Sequence, residues 1–212
     1  MGVGGAPSAG EFDLSNPLSK FVDVVRRLTL HPRRFFAESP RRGGFLNPLL
    51  FAILCGEIAA VLGGLLNLLT GVGGTQGFQP LLNPAGMYTE YLGFIVTLIV
   101  VPLIVAISLF IYAGILQLMV RLIVGAGNAG FEATFRIPSY AAVVNLVSWI
   151  PIIGILASLY SLYLHVVGLR EMHETTTGRA ILAFVAYIVV LALLSGLIFA
   201  VLWGFVFSRG MG

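Results

Sequence analysis

The sequence has few charged residues, and this shortage excludes a water-soluble domain. Only 10% of its 212 residues are charged, whereas hydrophobic residues make up 58%. A soluble domain of this size carries about 25% charged residues, so this chain cannot cover a water-facing surface. Its apolar residues also occur in long runs, which is typical of helices surrounded by lipid.

Alternating strands and paired cysteines are also missing. Open strands at bilayer depth would leave edge amides without hydrogen bonds, and the alternation of a membrane barrel is absent. Because Cys55 is the only cysteine, no intrachain disulfide can form, and we expect this residue to be a small buried hydrophobe. We therefore predict an all-α, polytopic transmembrane helical bundle.

Five spans are predicted, at about 46–70, 89–124, 138–149, 151–169 and 180–207. The span count depends on the apolar stretch 138–169, which contains Pro151 and is too long for one crossing of a hydrocarbon core of about 30 Å. Two helices that turn near Pro151 return Arg170, His173 and Arg179 to the side of the other basic residues, as the positive-inside rule favours. One continuous helix instead gives four spans.

Positive charge is concentrated before the first span. Residues 1–15 are predicted to be a disordered tail, and residues 16–45 a cytoplasmic, amphipathic and basic segment. Phe21, Val24, Val25 and Leu28 recur at helical spacing, which predicts an amphipathic helix in the headgroup plane. The alternative is that this helix packs on the protein's own spans.

The basic residues predicted to face anionic lipid headgroups or a protein partner are Arg26, Arg27, Arg33, Arg34, Arg41 and Arg42. Each contributes about 1 kcal/mol of attraction near an anionic surface. Because the cluster directly precedes a span, nucleic acid is not expected as a partner. The N-terminus is then cytoplasmic, and in a prokaryote the membrane is the inner one.

Four segments carry a family resemblance: HPRRFF, NPLLFAIL, FEATFRIPSYAAVVNLVSWIPIIG and YLHVVGLREMHETTTGRAILA. They resemble the Yip (Ypt-interacting protein) family of five-span membrane proteins, over residues 20–205 and most specifically over 131–183. Eukaryotic members bind Rab-type GTPases and carry an Asp-Leu-Tyr-Gly-Pro-like motif where this chain has Phe45-Leu46-Asn47-Pro48. The resemblance implies a short, prokaryote-type member that organises membranes or acts as an adaptor, without catalysis or cofactors.

Glu57 lies near the middle of the first predicted span, where a carboxylate costs several kcal/mol unless it is paired, hydrated or protonated. With Asn145 and His165 it forms the intramembrane polar candidates. A functional interpretation is a proton, cation or headgroup site, as in a transporter or channel component. The structural interpretation is a neutral acid bonded to another helix, through Tyr140, Asn145, Ser148 or His165.

Two further patterns concern metal binding and helix packing. His165 and His173 lie near Glu171 and Glu174, but a zinc-protease helix needs a second histidine at 177, where this chain has Thr. No metal is predicted. The small residues that recur every fourth position in the last span are Ala192, Gly196, Ala200 and Gly204. Their spacing predicts a groove for a neighbouring helix or, in a homo-oligomer, for a second copy.

Overall fold

The computed structural model describes residues 11–70, 89–125 and 127–210, and these segments contain helices and no strand. This confirms the predicted helical bundle. In chain order the helices are α1 (Pro17–Leu30), α2 (Pro32–Glu38), α3 (Leu46–Thr70), α4 (Thr89–Ile123), α5 (Phe131–Ala141), α6 (Asn145–Ser148), α7 (Pro151–Met172) and α8 (Thr177–Gly210), with a 3-10 turn, Ala142–Val144, between α5 and α6.

Four helices in the described segments are long and apolar enough to cross a membrane. Their apolar parts are Leu46–Leu66, Leu98–Ile123, Pro151–Met172 and Thr177–Val201. Large side chains such as Leu103, Ile152 and Leu193 are exposed on them, as expected where lipid rather than water surrounds the helix. The predicted span 138–149 corresponds to the end of α5, the 3-10 turn and α6, so the count of five spans stays a prediction.

The segment from α5 to α7 forms a helical hairpin. Its first arm, residues 131–148, is about 27 Å long at 1.5 Å per residue. At one end, the ring centres of Phe135 and of Phe45, which precedes α3, lie 5.1 Å apart. At the other end, a Cβ built on Gly63 of α3 would lie 3.3 Å from the Cβ of Trp149. The first arm therefore runs along most of α3.

The chain reverses direction at Pro151. Ile150 is extended, and Pro151 begins α7, a position that tolerates proline because the first-turn N–H has no helical partner. After α7, His173 Nδ1 accepts a hydrogen bond of 3.1 Å from the N–H of Ala129, which precedes α5. Both ends of the hairpin thus lie at the same end of the bundle, as the two-helix interpretation of residues 138–169 requires.

Helix α1 packs on the protein. Val24 and Leu28 are fully buried, and Phe21 and Val25 pack against the same core. In addition, the Tyr160 hydroxyl of α7 donates a 2.8 Å hydrogen bond to the Leu28 carbonyl. The predicted apolar stripe therefore faces the bundle, as the alternative interpretation has it, and the position of α1 in the headgroup plane stays a prediction. Helical spacing identifies an apolar face but not the surface that covers it.

The core lies at the end of the bundle that carries α1 and α2. The centre of the Tyr140 ring lies 4.9 Å from the ring centre of Phe35 in α2 and 5.3 Å from that of Phe51 in α3. Gly168 lets the helices approach closely, because a Cβ there would lie 2.8 Å from Ile137 Cγ2. This packing fixes α2, α5 and α7 to one another.

Residues 11 and 12 are an exception to the predicted disordered tail. Phe12 is fully buried and Glu11 nearly so, and the Phe12 and Phe51 rings lie 6.1 Å apart. Residues 1–10 and the loop at 71–84 lie outside the described residues.

Candidate binding face

One end of the bundle gathers most of the charged side chains. It consists of residues 11–16, α1, α2, the residues leading into α3, the loop between α4 and α5 with the first half of α5, and the turn between α7 and α8 with the helix ends beside it; we call it the basic face. Eleven of the twelve Lys and Arg residues and seven of the nine Asp and Glu residues belong to these segments or to the helix ends beside them. The basic face therefore has an excess of four positive charges.

Ion pairs hold α2 and the segment after it against the end of α7. Arg33 Nε lies 3.6 Å from a Glu171 carboxylate oxygen, and Arg41 pairs with Glu174. On the same surface, Arg27 pairs with Glu38 and lies 5.7 Å from the centre of the Phe35 ring. These contacts are mostly exposed, so each contributes at most about 1 kcal/mol. Their main effect is to hold α2 and the segment after it in a fixed orientation relative to the end of α7.

A glycine turn joins the segment before α3 to the start of α5. Gly43 and Gly44 have φ angles of 143° and 86°, which side chains with a Cβ rarely adopt. Their N–H groups donate hydrogen bonds of 2.8 and 3.1 Å to Glu132 Oε2. The bonds from Gly44 and then Gly43 hold the pKa of Glu132 below its usual value. The carboxylate of Glu132 thereby stays charged and anchors the turn.

A buried polar network closes the loop before α5. His173 Nδ1 accepts the N–H of Ala129, so its Nε2 carries the proton and donates to Thr134 Oγ1 at 3.0 Å. Thr134 in turn donates to Gln117 Oε1. Burial, followed by the positive charge of Arg41, lowers the pKa of His173 to about 4. The imidazole is therefore neutral, as the network requires.

Arg136 and Tyr140 form a second buried polar group with the N-terminal tail. Arg136 is fully buried, and its Nε donates a 3.0 Å hydrogen bond to Glu11 Oε1. The Tyr140 hydroxyl donates to the same oxygen at 2.8 Å. The chain thus places a carboxylate from its tail on a guanidinium inside the bundle.

Comparison with protein families supplies the classification. A family model described as the Yip1 domain matches residues 26–206, most of the chain. The chain belongs to the Yip family. A search of curated proteins found no match, and a search of solved structures found none.

The family and the four apolar helices make this an integral multi-pass membrane protein. Yip-family proteins are generally not enzymes. Within the described segments, no three His, Cys, Asp or Glu side chains are grouped as a metal site would require.

The six arginines singled out from the sequence of this Yip-family chain fall into two groups. Arg27, Arg33, Arg34 and Arg41 form ion pairs with Glu38, Glu171 or Glu174. Arg26 and Arg42 are exposed, and neither belongs to an ion pair within 4.0 Å in the described part of the chain. Arg26 and Arg42 are therefore the arginines whose charge is most available to lipid or partner.

The three intramembrane polar candidates do not form one site. Glu57 Oε1 is buried without a hydrogen-bond partner in the described structure, while three of its four expected partners bond elsewhere. Tyr140 donates to Glu11, Ser148 donates to the Asn145 carbonyl, and His165 Nδ1 lies 2.7 Å from the Ser161 carbonyl. His165 instead stacks on Phe184, with ring centres 5.0 Å apart, and Asn145 is half-buried on α6.

The small-residue stripe of the Yip-family chain faces outward. Ala192, Gly196 and Ala200 are exposed, and a Cβ added at Gly196 would meet no atom within 4 Å. The surroundings of Gly204 lie outside the described residues. Within the described part of the chain, no helix of this copy fills the groove, so packing on a second copy stays a prediction.

Sequence reasoning missed the buried ion pair of Arg136 and Glu11. Arg136 lies within a segment that carries the family resemblance but shows no local pattern that predicts its burial, and Glu11 falls within the predicted disordered tail. The sequence feature that could have indicated this contact is the acidic-aromatic pair Glu11-Phe12, which follows a run of small residues. Such a pair does not identify its distant partner, because its hydrogen bonds cross 125 and 129 positions of sequence.

Proposed function

We propose that this Yip-family protein is a non-catalytic membrane-organising or adaptor protein. Its basic face binds anionic lipid headgroups and a protein partner, and it lies in the cytoplasm, where the positive-inside rule favours basic segments. The observation that supports this proposal is the excess of four positive charges at one end of a bundle with four long apolar helices.

The exposed side of α1 supports the lipid part of this proposal. Leu18, Val22 and Leu30 are each more than half exposed, and Arg26 lies between them in sequence. At helical spacing these residues share a broad face opposite the buried Val24 and Leu28. A stripe of apolar residues around an unpaired arginine is suited to the boundary between acyl chains and headgroups.

Neutralising the two unpaired arginines tests the lipid interaction. In the Arg26→Gln/Arg42→Gln variant, we expect phosphatidylglycerol binding to weaken about fivefold per residue, equivalent to about 1 kcal/mol each. Native mass spectrometry of the full-length protein in detergent, with phosphatidylglycerol titrated in, measures bound lipid. The difference from the wild-type protein should shrink as salt is added, because salt screens exposed charges.

The matched control is Arg26→Lys/Arg42→Lys, which keeps both charges and should retain lipid binding. Equal phosphatidylglycerol occupancy in the Gln variant and the wild-type protein would contradict the proposed role of this face.

A further inference from the structure

Arg136 is a buried cation that depends on a partner. Its side chain has no exposed surface, and a buried charge without compensation costs several kcal/mol. Nη1 donates at 3.3 Å to the backbone carbonyl of Glu132. The Glu132 carboxylate is 3.9 Å away and already accepts the two glycine N–H groups. The close carboxylate is that of Glu11, 3.0 Å from Nε.

The group that supplies this carboxylate is small and local. Glu11 and Phe12 precede the first helix, and beyond them Asp13 forms a turn, accepting the Ser15 N–H at 2.8 Å. Residues 14–19 are exposed. Among the described residues of the tail, it is the Glu11 carboxylate and the Phe12 ring that are buried in the bundle, so their release would not require any described helix to unfold.

The site recognises both side chains by complementary chemistry. A guanidinium N–H and the Tyr140 hydroxyl converge on one carboxylate oxygen, a charge-assisted arrangement that selects an anion. The Phe12 ring packs against Phe51, whose ring also contacts Tyr140. Arg136 Nη2 is buried without a hydrogen-bond partner in the described structure, so the guanidinium retains donor capacity for a further acceptor.

We propose that Arg136, Tyr140 and Phe51 form a receptor site for an acidic-aromatic peptide segment of a protein partner. In this structure the chain's own Glu11-Phe12 occupies the site, and the partner's segment displaces it. A carboxylate followed by an aromatic ring is the chemistry that the site already holds. The inference rests on the proposed function only in that the basic face is a partner-binding surface.

The tail then sets the threshold for partner binding. A ligand tethered by a few residues acts at an effective concentration in the millimolar range. An external peptide binds only the fraction of molecules whose site is open, so its apparent affinity is reduced by that fraction. If the tail fills nine sites in ten, undocking it strengthens apparent binding about tenfold.

A labelled peptide tests the site directly. The probe is a fluorescein-labelled peptide of residues 7–16, PSAGEFDLSN, added to the full-length protein in phosphatidylcholine nanodiscs and followed by anisotropy. The Glu11→Gln/Phe12→Ala variant, whose tail no longer fits, should bind the probe at least about tenfold more tightly than the wild-type protein. A probe with Gln and Ala at these two positions should bind neither protein.

Two variants in the open-tail background connect this binding to the proposed residues. Arg136→Gln should abolish binding, and because it removes a buried group, its folding is checked by circular dichroism. Tyr140→Phe keeps the ring and removes one hydroxyl, and it should weaken binding at least about tenfold, the lower end of the effect of one hydrogen bond to a charged group. Full binding by Tyr140→Phe would overturn the assignment even if Arg136→Gln fails to fold.

Two further results of these binding measurements would overturn the proposed receptor site. Equal probe affinity for the wild-type and open-tail proteins would overturn the proposal. Absence of probe binding in the nanodiscs, together with extra phosphatidylglycerol on the open-tail protein in the native mass spectrometry titration, would make the site a lipid site, which also overturns it. The nanodiscs contain no anionic lipid, so probe binding does not depend on the lipid interaction of Arg26 and Arg42. A negative result with the probe is therefore distinguishable from a negative result in the phosphatidylglycerol titration.

Discussion

The Gly154→Ala variant is expected to lose about 3 kcal/mol of unfolding free energy, the upper end of the usual range for overpacking. A Cβ at this position would lie 2.5 Å from the backbone carbonyl oxygen of Ser148. Backbone atoms cannot move aside as a side chain does, so the end of α6 and the start of α7 must separate. The hairpin turn would open.

Trp149 provides the measurement, because it lies in the turn and its Nε1 donates to the Leu146 carbonyl at 2.8 Å. Its fluorescence in a Trp203→Phe background follows unfolding in mixed micelles. The control is Gly114→Ala in α4, where the added Cβ meets no atom within 4 Å and stability should be unchanged or up to about 1 kcal/mol higher. Equal stability of the two variants would contradict the hairpin geometry.

Acidification from pH 6.5 to pH 4 is expected to remove up to about 3 kcal/mol of stability through His173. The folded protein lowers the pKa of His173 to about 4 from an ordinary 6.5. The unfolded chain therefore takes up a proton first as pH falls, which shifts the equilibrium toward unfolding. The contribution is complete above pH 6.5 and is lost as pH falls through this window.

The groups that contact His173 explain why its pKa is lowered and which variants test the acid response. Its imidazole meets Thr134 and the Ala129 N–H, and the charge of Arg41, which pairs with Glu174, also lowers its pKa. His173→Gln should be less stable than the wild-type protein at pH 7 and should lose this part of the pH dependence. His31→Gln, at an exposed position, should keep it. A wild-type slope in His173→Gln would show that other groups cause the acid response.

The sequence predicted the long helices well because lipid solvation leaves a direct pattern. The predicted first span, 46–70, has the same bounds as α3, Leu46–Thr70. The turn at Pro151 was also predictable, because proline is tolerated in the first turn of a helix and the basic residues after α7 favour the return. These features depend on local composition and on charge.

Features that depend on distant partners could not be predicted in the same way. The stripe on α1 is visible in sequence, yet whether lipid or protein covers it depends on α2 and α7. The partners expected for Glu57 were plausible by polarity, but Tyr140 bonds to Glu11 instead. The ion pairs of Arg33 and Arg41 with Glu171 and Glu174 form only after the hairpin returns.

The proposed function and the receptor site both require that α1, α2 and the two ends of the hairpin lie on one side of the membrane. Single cysteines in a Cys55→Ala background test this, using an impermeant maleimide on sealed vesicles of known orientation. The chosen positions are Arg26, the exposed Gly127 and Gly178 on either side of the hairpin, and Arg209 near the end of α8. We predict that residues 26, 127 and 178 are labelled together from one side, and residue 209 only from the other. Labelling of residues 127 and 178 from opposite sides would contradict the account.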